Sequence, residues 1–200
     1  MKKSLHTLIL ASTSPRRKDL LSQIGLTFTI VPSDFEEDMS LPLSPDMLTM
    51  HLSKEKALAV AKDYPDAVII GADTVVAIDG AVLGKAHTNE DAQRMLSMLS
   101  GKTHQVITGL TVIIPAGESP TGVQIIESVA SINDVTFKPL AAEEIEWYIQ
   151  TGEPLEKAGA YGIQGLGAMF VEKIEGSYSG IVGLPLEILY EIFRRNDYMV

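Results

Sequence analysis

Cysteine is absent from the 200 residues, which excludes disulfides and thiolate metal sites and fits a reducing compartment. Aromatic residues are scarce, at 6% with a single tryptophan, so the core has to rest on Val, Ile, Leu and Ala. Apolar runs of the roughly 20 residues needed to cross a bilayer are also missing. The amino end, "MKKSLHTLILAS", carries two lysines, but His6 and Thr7 interrupt its short apolar run, so it reads as a first strand and not as a signal peptide. Positive charge is in deficit: 16 Lys and Arg stand against 26 Asp and Glu, a net charge of −10. Such a chain is a poor general binder of nucleic-acid backbone, although a small phosphorylated ligand needs only a local cationic cluster. The four histidines share no ligand spacing and receive no role.

What is present is a hydrophobic fraction of 46%, enough for one well-packed domain. Residues 8–11 read as a strand. Ser14 and Pro15 read as the N-cap and first position of a helix whose apolar face is Leu20, Leu21 and Ile24, with Gly25 ending it. Residues 28–31 form a second short strand, and 32–44 an acidic, proline-punctuated loop. Ser44-Pro45 opens a helix to about Lys62. The nearly continuous apolar run 67–78, "AVIIGADTVVAI", suits a buried strand, and Asp79-Gly80 a tight hairpin. Thr88 caps another helix, with Asp91 three residues on and Gly101 closing it. Strands are expected over 104–114 and 124–137, the second with Val129, Ser131, Asn133, Val135 and Phe137 on one side. A helix over 141–150, a glycine-rich stretch 159–168, a strand over 170–174 and a final helix over 186–195 complete the chain. The alternation predicts an α/β fold on a mixed central sheet flanked by helices.

Several residues sit badly in a purely structural account. Arg16 and Arg17 fall in the first turn of a helix, where the dipole prefers anions. They are either a solvated helix end that tolerates two charges or, with the backbone amides beside them, an anion site. Asp73 interrupts the buried run. It is either bonded into a turn at a strand end, or a metal ligand or general base. Thr74 beside it faces the other side unless the strand ends there. Lys56 joins Leu48, Leu52 and Val60 on the apolar row of its helix, so it either snorkels or points into a cleft. Glu36, Glu37 and Asp38 can be an ordinary solvated loop. "KAGAYGIQGLGAMF", with Gln164, is either flexible or a structured binding wall; it lacks the Lys and Ser/Thr ending of a P-loop.

Taken together, "LASTSPRRKDLL", "KEKA", "IIGADTVV", "LGK", "LSGKTHQVITGL", "TGEPLEKAGAYGIQG" and "GSYSGIVGLPL" resemble, in order, the motifs of the Maf family of nucleoside triphosphate pyrophosphatases. The resemblance implies a single elongated two-lobed domain over 1–200 with an active-site cleft, related to the inosine triphosphatase type. It further implies a cytoplasmic, often dimeric enzyme that uses a divalent metal, Mg²⁺ or Mn²⁺. By position, Arg16 and Arg17 would grip the triphosphate, with Ser12 and Ser14 completing the cradle. Glu37 would be a metal-site carboxylate, Lys56 and Lys85 phosphate-facing lysines, and Asp73 both metal ligand and proton acceptor. Arg16, Thr74 and Gln164 match positions that tune base choice, and "KAGAYGIQG" resembles the subgroup acting on dTTP and UTP. Ala86 stands where the family commonly has proline after "GK", a departure that touches loop geometry and rate but removes no proposed catalytic group.

Overall fold

The structure, a computed structural model, describes residues 7–198; residues 1–6 of the amino-terminal segment lie outside it. In chain order the elements are β1 (Leu8–Leu10), α1 (Pro15–Gln23), β2 (Thr29–Ile30), α2 (Pro45–Ala61), β3 (Val68–Ile78), β4 (Ala81–Leu83), α3 (Asn89–Leu99), β5 (Thr103–Ile114), β6 (Ile125–Phe137), α4 (Ala142–Gln150), a 3-10 helix (Leu166–Phe170), β7 (Val171–Glu175), α5 (Tyr178–Val182) and α6 (Leu186–Arg195). The strand order is β2-β1-β3-β5-β6-β7, with β4 beside β3. Parallel pairing of β1 with β2 and β3, and antiparallel pairing of β3 with β4 and of β6 with β7, make the sheet mixed, as expected. No helix among the described residues is long and apolar enough to cross a membrane.

The chain divides into two compact units. The first comprises Met1–Asp73, Thr108–Ser131 and Gly183–Val200. Here β1 is the centre of a parallel ladder, with Ile9 opposite both Thr29 and Ile69. Parallel neighbours need crossovers, which α1 and α2 supply. Ile9, Ala11, Ala57, Val60, Ala67, Ile69 and Ile113 form the buried cluster. Two strand glycines let α2 lie unusually close to the sheet. A Cβ on Gly71 would stand 2.4 Å from the Ser53 carbonyl oxygen, and one on Gly109 would stand 2.1 Å from that of Thr49. Buried hydroxyls reinforce this contact: Ser53 Oγ lies 2.8 Å from Thr111 Oγ1, which lies 2.8 Å from Ser128 Oγ. The second expected strand shortens to Thr29–Ile30. It is exposed and sits at the end of the strand order, paired with β1.

The second unit comprises Thr74–Ile107 and Ile132–Val182. Asp79 and Gly80 both take positive φ, +50° and +79°, the primed hairpin geometry the dipeptide predicts. Thr88 caps α3 by accepting the Asp91 amide at 3.1 Å. α3 buries Ala92, Met95, Leu96 and Leu99. The scarce aromatics are gathered here: Phe137 packs edge-on to His104, Tyr161 and Phe170, and Tyr148 packs edge-on to Phe170. β6 alternates as expected, with Asn133, Val135 and Phe137 buried and Ile132 exposed. β7 starts one residue later than expected because Phe170 closes the 3-10 helix and is buried in this core. α5 was not foreseen; at five residues it is too short to show a helical period.

Candidate active site

The first unit brings together residues from a strand end, a loop and two helices. β1 ends at Leu10, and the chain turns through Ser12, Thr13 and Ser14 into α1. Ser14 holds the N-cap position, but its side chain makes no capping bond. Ser12 organises the turn instead: its Oγ accepts from the Ser14 amide at 3.2 Å and from Arg17 Nη1 at 3.1 Å. Arg17 Nε also donates to the Gly183 carbonyl at 2.8 Å, tying α1 to the segment before α6. Burial pulls the Arg17 guanidinium below its ordinary value. Asp73 pushes it back up, Arg16 lowers it, and Glu37 raises it, so Arg17 feels both carboxylates. Arg16 is half-buried and forms no hydrogen bond or ion pair among the described residues.

The second part of this site is a three-residue ion cluster. Lys56 Nζ lies 2.6 Å from Asp73 Oδ1 and 2.7 Å from Glu37 Oε1. The Lys56 and Asp73 side chains are 12% and 9% exposed and that of Glu37 is 37% exposed, so the loop carboxylate is the wet member. A Lys–Asp pair this buried needs close partners to offset desolvation, and each supplies one for the other. Lys56 therefore does not snorkel: its ammonium is engaged, not solvated. The alternation of β3 explains the geometry. Gly71 and Asp73 project from the same face, Gly71 admits α2, and Lys56, one turn beyond Leu52 on that helix, meets Asp73.

Glu37 and Asp73 were expected to hold a divalent metal. Among the described residues no three His, Cys, Asp or Glu side chains cluster as a metal site. Two carboxylates converging on one cationic head nevertheless suit a hard ion that takes one or two protein carboxylates and completes its shell with water and phosphate oxygens.

The second unit carries Thr74, Lys85 and Gln164. Thr74 is half-buried in β3. Lys85 is exposed, and its side chain has no partner among the described residues. Its backbone bridges to Ala158, while the Ala86 amide donates to the Lys157 carbonyl at 3.3 Å, a bond the family's proline could not make. Gln164 is exposed on a turn held by hydrogen bonds. The Glu153 carboxylate accepts from the Leu166 amide at 2.8 Å, the Gly167 amide at 3.1 Å and the Tyr148 hydroxyl at 2.8 Å. Burial pulls the Glu153 carboxyl upward, but these donors and the Lys157 charge outweigh it and hold it below its ordinary value. Sequence reasoning missed Gly183 and Glu153; the glycines at 162, 165 and 167, which leave room for a neighbouring side chain, were the available signal for Glu153.

A model of the Maf family, described as Maf-like protein, matches residues 7–196. A dTTP/UTP pyrophosphatase of Vibrio parahaemolyticus is 51% identical over 93% of this chain and 94% of its own length. Proteins of the same description from Bacillus velezensis and Aquifex aeolicus are 47% and 44% identical, covering 90% and 93% of both chains. Among solved structures, the Staphylococcus aureus Ham1 protein aligns at 13% identity and a TM-score of 0.46, over 66% of this chain and 71% of that one.

Proposed function

The chain belongs to the Maf family, and from that premise we propose that it hydrolyses dTTP and UTP to the nucleoside monophosphate and pyrophosphate. The observation that carries the reading is the meeting of Glu37, Lys56 and Asp73 within 2.7 Å, in the same unit as the Ser12–Arg17 turn. It joins an acid–base group to a cationic region suited to phosphates. The description shared by relatives at 44–51% identity supplies the substrate.

In this reading Asp73 takes a proton from a water as that water attacks the α-phosphorus. The bond from the α-phosphorus to the bridging oxygen breaks, and pyrophosphate leaves. Arg17, fixed by Ser12 and Gly183, presents a planar guanidinium to the phosphates, and Arg16 adds an uncommitted one. Lys56 adds positive charge as negative charge spreads over the phosphoryl oxygens. The anion also answers the conflict at the start of α1, a helix end with two arginines and no side-chain cap. Mg²⁺ or Mn²⁺, held by Glu37 and Asp73, would supply polarisation of the phosphate oxygens.

The test is pyrophosphate release from a panel of nucleoside triphosphates with Mg²⁺ or Mn²⁺. Release from dTTP and UTP well above that from ATP, GTP and CTP is expected. No release from any of them would refute the enzyme reading, and equal release from all would refute the pyrimidine preference alone.

A further inference from the structure

The charges around Asp73 balance within the first unit. Lys56 Nζ stands 2.6 Å from Asp73 Oδ1 and 2.7 Å from Glu37 Oε1, so two carboxylates share one ammonium. Arg17 supplies a second cation, because Asp73 and Glu37 both act on its guanidinium, and Arg16 beside it is a third. Among the described residues no third carboxylate or histidine joins Glu37 and Asp73 as a metal-binding group. Asp38, the next acid along the loop, is committed elsewhere: its Oδ1 accepts from the Ser40 amide at 2.9 Å and from the Ser40 hydroxyl at 2.6 Å. The cluster therefore has no surplus of negative charge. That balance governs metal affinity. A hard divalent cation gains affinity from negative ligand charge, and Mg²⁺ is usually held by one or two carboxylates together with substrate phosphates. A divalent ion arriving alone meets an ammonium already on both carboxylates, and like charges this close repel strongly where water is scarce. A nucleoside triphosphate carries more negative charge than one divalent ion neutralises, and the remainder suits the cations at this site.

We propose that Lys56, seconded by Arg17, keeps Glu37 and Asp73 from taking a divalent metal alone, so that the protein accepts the metal only together with a nucleoside triphosphate. The species bound is then the metal–nucleotide complex. This rests on the pyrophosphatase reading. A purely structural role for Lys56, bracing two carboxylates, makes the opposite prediction: removing the brace would loosen the carboxylates and weaken metal binding, whereas removing a competing charge strengthens it.

The test titrates Mn²⁺ into the full chain without nucleotide and follows the free ion by its electron paramagnetic resonance. The wild type is expected to bind Mn²⁺ with a Kd weaker than about 10⁻⁴ M, the range of weak oxygen-ligand sites; tighter binding overturns the proposal. Lys56→Gln removes the charge and keeps a hydrogen-bond donor. It is expected to bind Mn²⁺ at least about tenfold more tightly than the wild type, the scale of one unit charge a few ångströms away. Lys56→Arg keeps the charge and is expected to stay within about threefold of the wild type. Equal or weaker binding by Lys56→Gln with an intact melting curve, or Lys56→Arg binding as tightly as Lys56→Gln, overturns the proposal. If Lys56→Gln does not fold, calorimetry of the wild type with a non-hydrolysable UTP analogue decides. The analogue is expected to bind at least about tenfold more tightly with Mn²⁺ than without, because metal and nucleotide affinities are reciprocally coupled; equal affinity overturns the proposal. If the wild type releases pyrophosphate from no triphosphate, the pyrophosphatase reading fails, and the nucleotide-free Mn²⁺ titrations still decide the role of Lys56.

Discussion

His104 provides the sharpest energetic prediction, because burial alone sets it. The ring is 2% exposed and packs edge-on against Phe137 and Tyr161. Its Nε2 lies 2.9 Å from the Tyr161 hydroxyl, while Nδ1 has no partner among the described residues. Burial pushes its pKa down from 6.5 to about 4. The folded protein thus keeps His104 neutral where the unfolded chain protonates it. The contribution is full above pH 6.5 and is lost as pH falls toward 4. Between pH 7.5 and pH 4.5 the two pKa values give a loss of about 2.5 kcal/mol. The perturbation is His104→Gln, which cannot titrate. The assay is urea unfolding at both pH values, followed by fluorescence of Trp147, which lies in the same unit as His104. Carboxylates titrate equally in both proteins, so their effects cancel in the comparison. The wild type is expected to lose about 2.5 kcal/mol more than the variant over this span. A difference under about 0.5 kcal/mol would refute the reasoning.

Two further outcomes follow from the first unit. Gly71→Ala puts a methyl group 2.4 Å from the Ser53 carbonyl oxygen and 2.9 Å from Ala57 Cβ, so α2 must shift. Thermal unfolding should show a loss of about 1–3 kcal/mol, and kcat should fall at temperatures where the variant is fully folded, because Lys56 moves off Asp73; full activity in the folded variant would contradict this. Arg17→Lys keeps the charge but loses the fork that engages Ser12 and Gly183. Steady-state kinetics should show kcat/KM for UTP reduced at least about tenfold; wild-type kinetics would contradict it.

The parts of the fold legible in the sequence were those carried by local chemistry. Asp79-Gly80 announced its hairpin, Thr88 and Asp91 their cap, and the alternation of Asn133, Val135 and Phe137 its buried face. Ser14 announced the helix start but not its bonding, because Ser12 Oγ two residues earlier takes the amide that a cap analogy would leave elsewhere. Lys56 and Asp73 were legible as misfits, a charge on an apolar row and a charge in an apolar run. Their pairing was not, since it depends on the close approach that Gly71 allows and on the path of the loop bearing Glu37. Glu153 stayed hidden because an acidic residue after a helix-ending glycine looks solvated until the chain returns, thirteen and fourteen residues later, to wrap two amides around it. The misfits marked the candidate site, and long-range contacts decided what each misfit touches.

The most direct test of the central claim is Asp73→Asn, assayed with the Mg²⁺- or Mn²⁺-loaded protein for UTP binding by calorimetry and for pyrophosphate release from UTP. Asparagine keeps the size of the side chain and a hydrogen-bond acceptor for Lys56 but cannot take the proton from the attacking water. The account predicts UTP affinity within about tenfold of wild type and turnover reduced by about 10²–10⁴-fold. Undiminished pyrophosphate release would place the base elsewhere and contradict it.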